Sequence, residues 1–302
     1  MIVEFENEIK KIRDIRNRKT VEGYKLDVQD IDEHFRLKLG NFNVFLGHAN
    51  VGKTTLVLFL MVLYSIKHST RWLIFSSEND PHTLIKKIIE FLEHKPINKI
   101  EETAFESRLD WINEHFKFVS NEQMYTYQEL ENLANAVKKA WDYQGLLIDP
   151  YNSLVKKLDK GQNSHEYDYV VTSKMRLFAK KNNVTIWLCA HANTEALRKK
   201  HGSAHEYFDH PIPPMASDVE GGGKFVNRAD DFVVIHRYVQ HPSDWMLSHI
   251  HIRKVKDIDT GGRPTSIDNP IILKSLVNNV GFEINNLTLV EKPDREQQNL
   301  PF

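Results

Sequence analysis

The chain has 302 residues, 41% hydrophobic and 27% charged, with a formal net charge of −1. That balance suits one large globular domain with short appendages, or two small ones, and excludes a globally basic nucleic-acid binder, although a local basic lining needs no net charge. The single cysteine, Cys189, excludes an internal disulfide framework, and the longest apolar run, LVLFLMVLY over residues 56–64, is far short of the ~20 residues that span a bilayer.

Residues 1–20 are dense in charge, with Ile2, Phe5, Ile9, Ile12 and Ile15 spaced at threes and fours. A helix with so thin an apolar stripe either docks on another surface or packs on its own domain, and both readings stand. The start, MIVEFENEIKK, lacks the apolar stretch of a signal peptide, so a soluble, cytosolic-type protein is expected.

From about residue 41 strand and helix alternate. NVFLG (43–47) reads as a strand and 53–67 as a helix; RWLIFSS (71–77) as a strand and 81–94 as a helix, with Pro81 in its first turn. HFKFVS (115–120) is a short strand, 127–141 a helix, GLLID (145–149) a strand, 165–182 a helix and VTIWLCAH (184–191) a strand. Near-continuous apolar strands between helices predict an α/β fold with a mostly parallel sheet flanked by helices. DFVVIHRY, LSHIHIRKV and shorter runs near Ile272 and Phe282 follow with little helix between them, so C-terminal antiparallel strands are predicted. The end, EKPDREQQNLPF, reads as a flexible tail. The expected division is a docking helix over 1–30, a core over 31–290 and a tail over 291–302.

The chemistry starts at GHANVGKT, residues 47–54, which has the spacing GxxxxGK[ST] between a strand and a helix. Backbone N–H groups of Gly47, Asn50, Val51, Gly52 and Thr55 can surround phosphate oxygens. Lys53 neutralises the β- and γ-phosphates, and the Thr54 hydroxyl holds Mg²⁺. The cofactors expected are ATP, or another NTP, and Mg²⁺. Asp149 ends the GLLID strand, where a carboxylate lies beside the phosphate loop and anchors the metal. Glu78 follows another strand of the same sheet and can orient the attacking water, or can be a solvated loop residue. His191 ends a third such strand and can hydrogen-bond the γ-phosphate, or can be structural. His201, His205 and His210, and separately His249 and His251, show no metal-ligand spacing and read as polar surface.

Taken in order from about residue 39 to 262, these segments resemble hexameric replicative helicases of the DnaB and Twinkle type, including the helicase half of phage primase-helicases, on a RecA-like P-loop NTPase core. GHANVGKTT is similar to their first motif, IFSSEND to the strand with the catalytic glutamate, LLIDPYNSL to the Mg²⁺ motif and IWLCAHANTEALRK to the sensor strand. DVEGGGKFVNRADDFVVIHR resembles their DNA-loop helix and following strand, and IRKVKDIDTGG their KxRxxG-like ending. The resemblance implies Glu78 as catalytic base and His191 as sensor. It also implies a homo-oligomeric, hexameric ring of about six subunits around single-stranded DNA with ATP between neighbours. A basic finger would complete each site in trans. Its position holds Lys256 where the family has Arg, so either Lys256 acts with Lys254 or Arg253 or Arg263 supplies the charge. Arg237 and Lys254 join the nucleotide-binding set. DNA contacts fall to Arg198, Lys199 and Lys200 and to Lys224, Asn227 and Arg228, while Phe225 either stacks on a base or is buried. No primase or zinc-ribbon segment precedes the core in this sequence, so if the chain is complete priming is expected elsewhere.

By the same resemblance the N-terminal helix clasps the adjacent subunit through Ile9, Ile12 and Ile15. The tail QQNLPF is either plain or a docking peptide for a polymerase, sliding clamp or other replisome partner. A replisome-associated, phage-like helicase without membrane contact is the first reading. A RecA-like ATPase of repair or plasmid maintenance that binds DNA without unwinding it is the second, and a non-catalytic assembly role the third.

Overall fold

The computed structural model describes residues 4–17 and 22–290. Two helices, α1 (Phe5–Arg16) and the short α2 (Gln29–Asp32), precede the alternating core. There follow β1 (Phe42–Gly47), α3 (Lys53–His68), β2 (Trp72–Ser76), α4 (Pro81–Glu93), α5 (Glu102–His115), β3 (Phe116–Phe118), α6 (Tyr127–Ala140), β4 (Gly145–Asp149), α7 (Ser164–Asn182) and β5 (Thr185–His191). The chain then runs through short α8 (Thr194–Arg198) and α9 (Lys224–Arg228) into β6 (Asp231–His236), β7 (Leu247–Val255), α10 (Ile258–Gly261), β8 (Ile271–Ser275), β9 (Phe282–Ile284) and β10 (Leu287–Thr288). Residues 291–302, and with them the docking-peptide reading, lie outside the described residues.

All these strands form one sheet in the order β10-β9-β8-β7-β6-β1-β5-β4-β2-β3. The segment from β6 to β3 is parallel, and β7 to β10 continue it antiparallel, as the sequence predicts. Successive side chains leave a strand on opposite faces. In β1, Phe45 points into a core built with α3, α4 and α5, whereas Val44 and Leu46 point into a second core with α6, α7 and α9. Leu56 through Ser65 of α3 are buried without interruption, which fits a helix apolar on all sides.

Three differences from the sequence reading have plain causes. Helix α5 is not foreseen, because ETAFESRLDWINEH is mostly polar and buries little beyond Ile112 and His115. Residues 22–30, expected in the appendage, pack on the core: Leu26 is buried, Tyr24 bridges Leu37, and Gly23 N–H donates to Thr260 O. His249 and His251, read as surface, are buried on β7, where Tyr207 and Tyr238 stand edge-on to His249 and Tyr238 packs against His201. Spacing does not reveal a covering loop that arrives from over forty residues earlier. In α1, Phe5, Ile12 and Ile15 are 75%, 60% and 57% exposed and Ile9 is half-buried, so most of the stripe is uncovered by its own domain. Among the described residues no helix is long and apolar enough to cross a membrane.

Candidate functional site

β1 turns into α3 through the phosphate loop. Gly47 lies against β6, where an added Cβ would come within 2.5 Å of the Ile235 carbonyl oxygen, so only glycine fits. Gly52 caps α3 in the left-handed region at φ 82°, and its N-terminal amides open toward the carboxyl edge of the sheet. Lys53 is buried, and its Nζ donates to Gly47 O at 3.2 Å and His48 O at 2.9 Å, curling back over the loop. Burial pushes its pKa down, while Asp149 and Glu78 oppose that shift.

The parallel strands deliver the other groups to the same edge. Thr54 Oγ1 donates to Asp149 Oδ2 at 2.7 Å, and Ser76 Oγ donates to the same oxygen at 3.4 Å. Burial pushes the Asp149 carboxyl up, with the Thr54 hydroxyl opposing it. Glu78, just past β2, stands half-exposed with Oε1 3.4 Å from His191 Nε2. His191 Nδ1 in turn lies 3.4 Å from Lys53 Nζ. The edge thus gathers a phosphate-binding ammonium, a hydroxyl beside a buried carboxylate, and a carboxylate open to solvent. Thr54 and Asp149 are hard oxygen donors that fit Mg²⁺, which takes one or two protein oxygens and completes its shell with waters and phosphates. No cluster of three or more His, Cys, Asp or Glu able to hold a metal occurs among the described residues.

Asn50 is exposed with φ 63°, Val51 is buried beneath the loop, and Thr55 is partly buried. Arg237, just after β6, brings Nη1 within 3.2 Å of the point where a Gly52 Cβ would sit, so its guanidinium lies on the phosphate loop. Lys254 and Lys256 go elsewhere. β7 runs antiparallel to β6 and pairs Val255 with Asp231, which puts both lysines at the opposite sheet edge, roughly 17 Å along the strand from the phosphate loop. Lys254 Nζ donates to Val226 O and Ala229 O at the end of α9, at 2.7 and 2.6 Å. Lys256 is half-exposed, 3.2 Å from Asp230, which also takes Arg176 at 2.8 Å. Arg263 pairs with Glu33 instead, and Arg253 is partly buried within β7.

Of the residues expected at DNA, Arg198, Lys199 and Lys200 are exposed, each paired with an acid of its own loop: Glu195, Asp218 and Asp209. Asn227 is exposed, and the Arg228 guanidinium lies 4.2 Å over the Tyr169 ring. Lys224 does not face solvent. Its side chain is 3% exposed and paired with Asp168, because the glycine run folds back onto α7. Phe225 is fully buried, edge-on to Tyr151, which settles its alternative. Sequence reasoning missed Ser76, which, one strand position from the acidic turn, carried a signal that could have found it.

A family model described as the DnaB-like helicase C terminal domain matches residues 23–263. The Twinkle homolog protein, chloroplastic/mitochondrial, of Arabidopsis thaliana is 24% identical over 246 residues, 76% of this chain and 32% of that protein. The chain therefore spans about a third of the length of that curated relative. Among solved structures, the ATPase domain of G40P superposes with TM-score 0.75 at 12% identity, covering 93% of this chain and 99% of that one. A DnaB-like replicative helicase, solved in a study of its interactions with primase, gives 0.69 at 13% identity, covering 93% and 67%. The fold is that of RecA-like helicase ATPase domains.

Proposed function

The chain belongs to the family of DnaB-like helicase C-terminal domains, and from that premise we propose that it is an ATP-driven, ring-forming replicative helicase that moves on single-stranded DNA and separates strands. The observation that carries the reading is the convergence of Lys53, Thr54, Asp149, Glu78 and His191 at one sheet edge, while Lys256 stands at the other. Gly47 to Thr55 and Arg237 receive the nucleotide, with Lys53 moving from the loop carbonyls to the β- and γ-phosphates. Thr54 and Asp149 hold Mg²⁺, which when bound draws charge from the phosphate oxygens. Glu78 takes a proton from the attacking water as its oxygen bonds to the γ-phosphorus and the bond to ADP breaks. His191, with Nε2 3.4 Å from the Glu78 carboxylate, follows the change at the γ-phosphate.

Lys256 cannot reach its own phosphate loop, so it serves the site of an adjacent copy. Repeated head to tail, such contacts close a ring, of about six copies in the family pattern. Lys brings a point charge without the planar fork of Arg and stabilises spread charge less specifically. The uncovered Phe5–Ile12–Ile15 stripe of α1 supplies a second contact between copies. Single-stranded DNA then passes Arg198, Lys199, Lys200, Asn227 and Arg228, in a lining whose positive charge is local.

The test is ATP turnover and fork unwinding with and without single-stranded DNA. Wild type is expected to show DNA-stimulated turnover and strand separation, and Glu78→Gln a turnover loss on the order of 10²-fold or more. Wild-type stimulation without unwinding would favour the repair or maintenance ATPase. Glu78→Gln hydrolysing like wild type would revive an assembly role.

A further inference from the structure

A buried carboxylate outside the nucleotide site joins two segments that flank it. Asp168, in the second turn of α7, has a side chain 2% exposed. Tyr151, two residues after Asp149, donates its hydroxyl to Asp168 Oδ1 at 2.5 Å. Lys156 Nζ lies 2.9 Å from Oδ1 and 3.0 Å from Oδ2, and also donates to Ser164 Oγ at 2.9 Å. Lys224 Nζ, from the glycine-bearing segment, reaches Oδ2 at 3.2 Å and His165 O at 3.2 Å. The loop after β4 and the segment before α9 thus share one anion. Packing repeats the connection, since Phe225 stands edge-on to Tyr151 at 4.9 Å. At Gly221, φ 97°, an added Cβ would meet Phe225 at 2.8 Å and Asp168 at 3.5 Å, so the run closes tightly over the pair.

The other end of that segment is fastened to the sensor strand. Glu220 N–H donates to His191 O at 2.9 Å, and Val219 bridges Ala192. Residues 219–225 are therefore strung between His191 and the clasp at Asp168, and Asp168 reaches back through Tyr151 to the strand end that carries Asp149. A buried ammonium without its carboxylate partner is costly, so Lys224 cannot leave Asp168 freely, and displacement of the Tyr151 loop is transmitted rather than absorbed.

We propose that Asp168 is a positioning residue that fastens the loop after Asp149 to the glycine-bearing segment 219–225, so that nucleotide at the Thr54–Asp149 pair sets the placement of that segment. It rests on the nucleotide site of the preceding reading, not on DNA or unwinding. Lys224 accordingly serves as the bolt of this clasp rather than as a contact exposed to DNA.

The test is amide hydrogen exchange of the full chain, with and without Mg²⁺ and a non-hydrolysable ATP analogue, in the absence of DNA. The reporting amides are those of Glu220, Gly222 and Phe225, each hydrogen-bonded to a backbone carbonyl. In wild type the analogue is expected to slow or speed their exchange by roughly fivefold or more. Asp168→Asn is expected to cut that response below about twofold while the analogue still protects the phosphate-loop amides. Tyr151→Phe, which removes one hydroxyl and leaves no unpaired buried charge, is expected to give an intermediate response. It decides the matter if Asp168→Asn does not fold. A wild-type chain that binds the analogue with no change at these amides, or variants that respond as wild type does, would overturn the proposal. Because no DNA is present, absence of DNA-stimulated turnover would sink the helicase reading and leave this result standing.

Discussion

The two edges of the parallel sheet are built on opposite principles. At the carboxyl edge, side chains from three strands and the start of a helix converge within hydrogen-bond reach: Thr54 on Asp149, His191 near both Glu78 and Lys53. At the amino edge, cations are collected and neutralised. Asp230 takes Arg176, Lys256 and the Phe42 N–H, and Lys254 caps the carbonyls of α9. One edge has the groups for phosphate chemistry, with Lys53 and Arg237 on the phosphate loop. The other has a half-exposed cation and no phosphate site. In the ring proposed above, each edge would meet the other on a neighbouring copy.

Lys256 is where this comparison breaks most readily. Lys256→Ala should lower DNA-stimulated turnover by on the order of 10³-fold, as loss of a trans charge does, with basal folding unchanged. Lys256→Arg should retain or raise it. Mixing Lys256→Ala with Glu78→Gln should restore part of the activity neither variant has alone, because some interfaces then combine an intact cation with an intact carboxylate. Turnover of Lys256→Ala equal to wild type, read in a coupled phosphate-release assay, would leave the amino edge without a catalytic part.

Asp230 sharpens the contrast in stability instead of rate. It is buried, and Asp230→Ala leaves Arg176 and Lys256 without their shared anion and the Phe42 N–H without its acceptor. Such a loss costs about 3 kcal/mol, seen as a lower denaturation midpoint in urea. By comparison Glu78→Gln, at a half-exposed carboxylate, should leave that midpoint nearly unmoved.

Acid pH separates the edges more gently. Beside the carboxyl edge, His236 and His251 are buried with no hydrogen-bond partner for either ring nitrogen among the described residues. Burial and, secondarily, neighbouring histidines for the first and Arg253 for the second push them down to about 2 and about 3. The unfolded chain protonates both near pH ~6.5, so below that pH it binds more protons than the native state, and stability falls by up to ~1.4 kcal/mol per pH unit for each histidine. At the amino edge, burial pushes Asp231 up to about 7. The native state there keeps a proton that the unfolded chain gives up above pH ~3.9, so this one group gains stability as pH falls from 7 to 4. Two histidines outweigh one aspartate, and the urea midpoint should drop between pH 6.5 and 4. His236→Phe should flatten that slope, whereas Asp231→Asn should steepen it.

What the sequence determined by itself is what is local in the chain. Apolar runs flanking GHANVGKT set β1, the phosphate loop and α3, because a strand, a glycine turn and a helix start are each decided within a few residues. Strands ending in Asp149 and His191, and the one that Glu78 follows, obey the same logic, since a parallel sheet brings such ends to one edge. The tertiary structure decided which charges meet. Nothing in the spacing of Lys224, Lys254 and Lys256 says that the first is locked on Asp168, the second spent on carbonyls and the third held by Asp230. Those choices are made by backbones that approach from 25 to 60 residues away, where burial makes an unpaired charge too costly to leave and so fixes each partner.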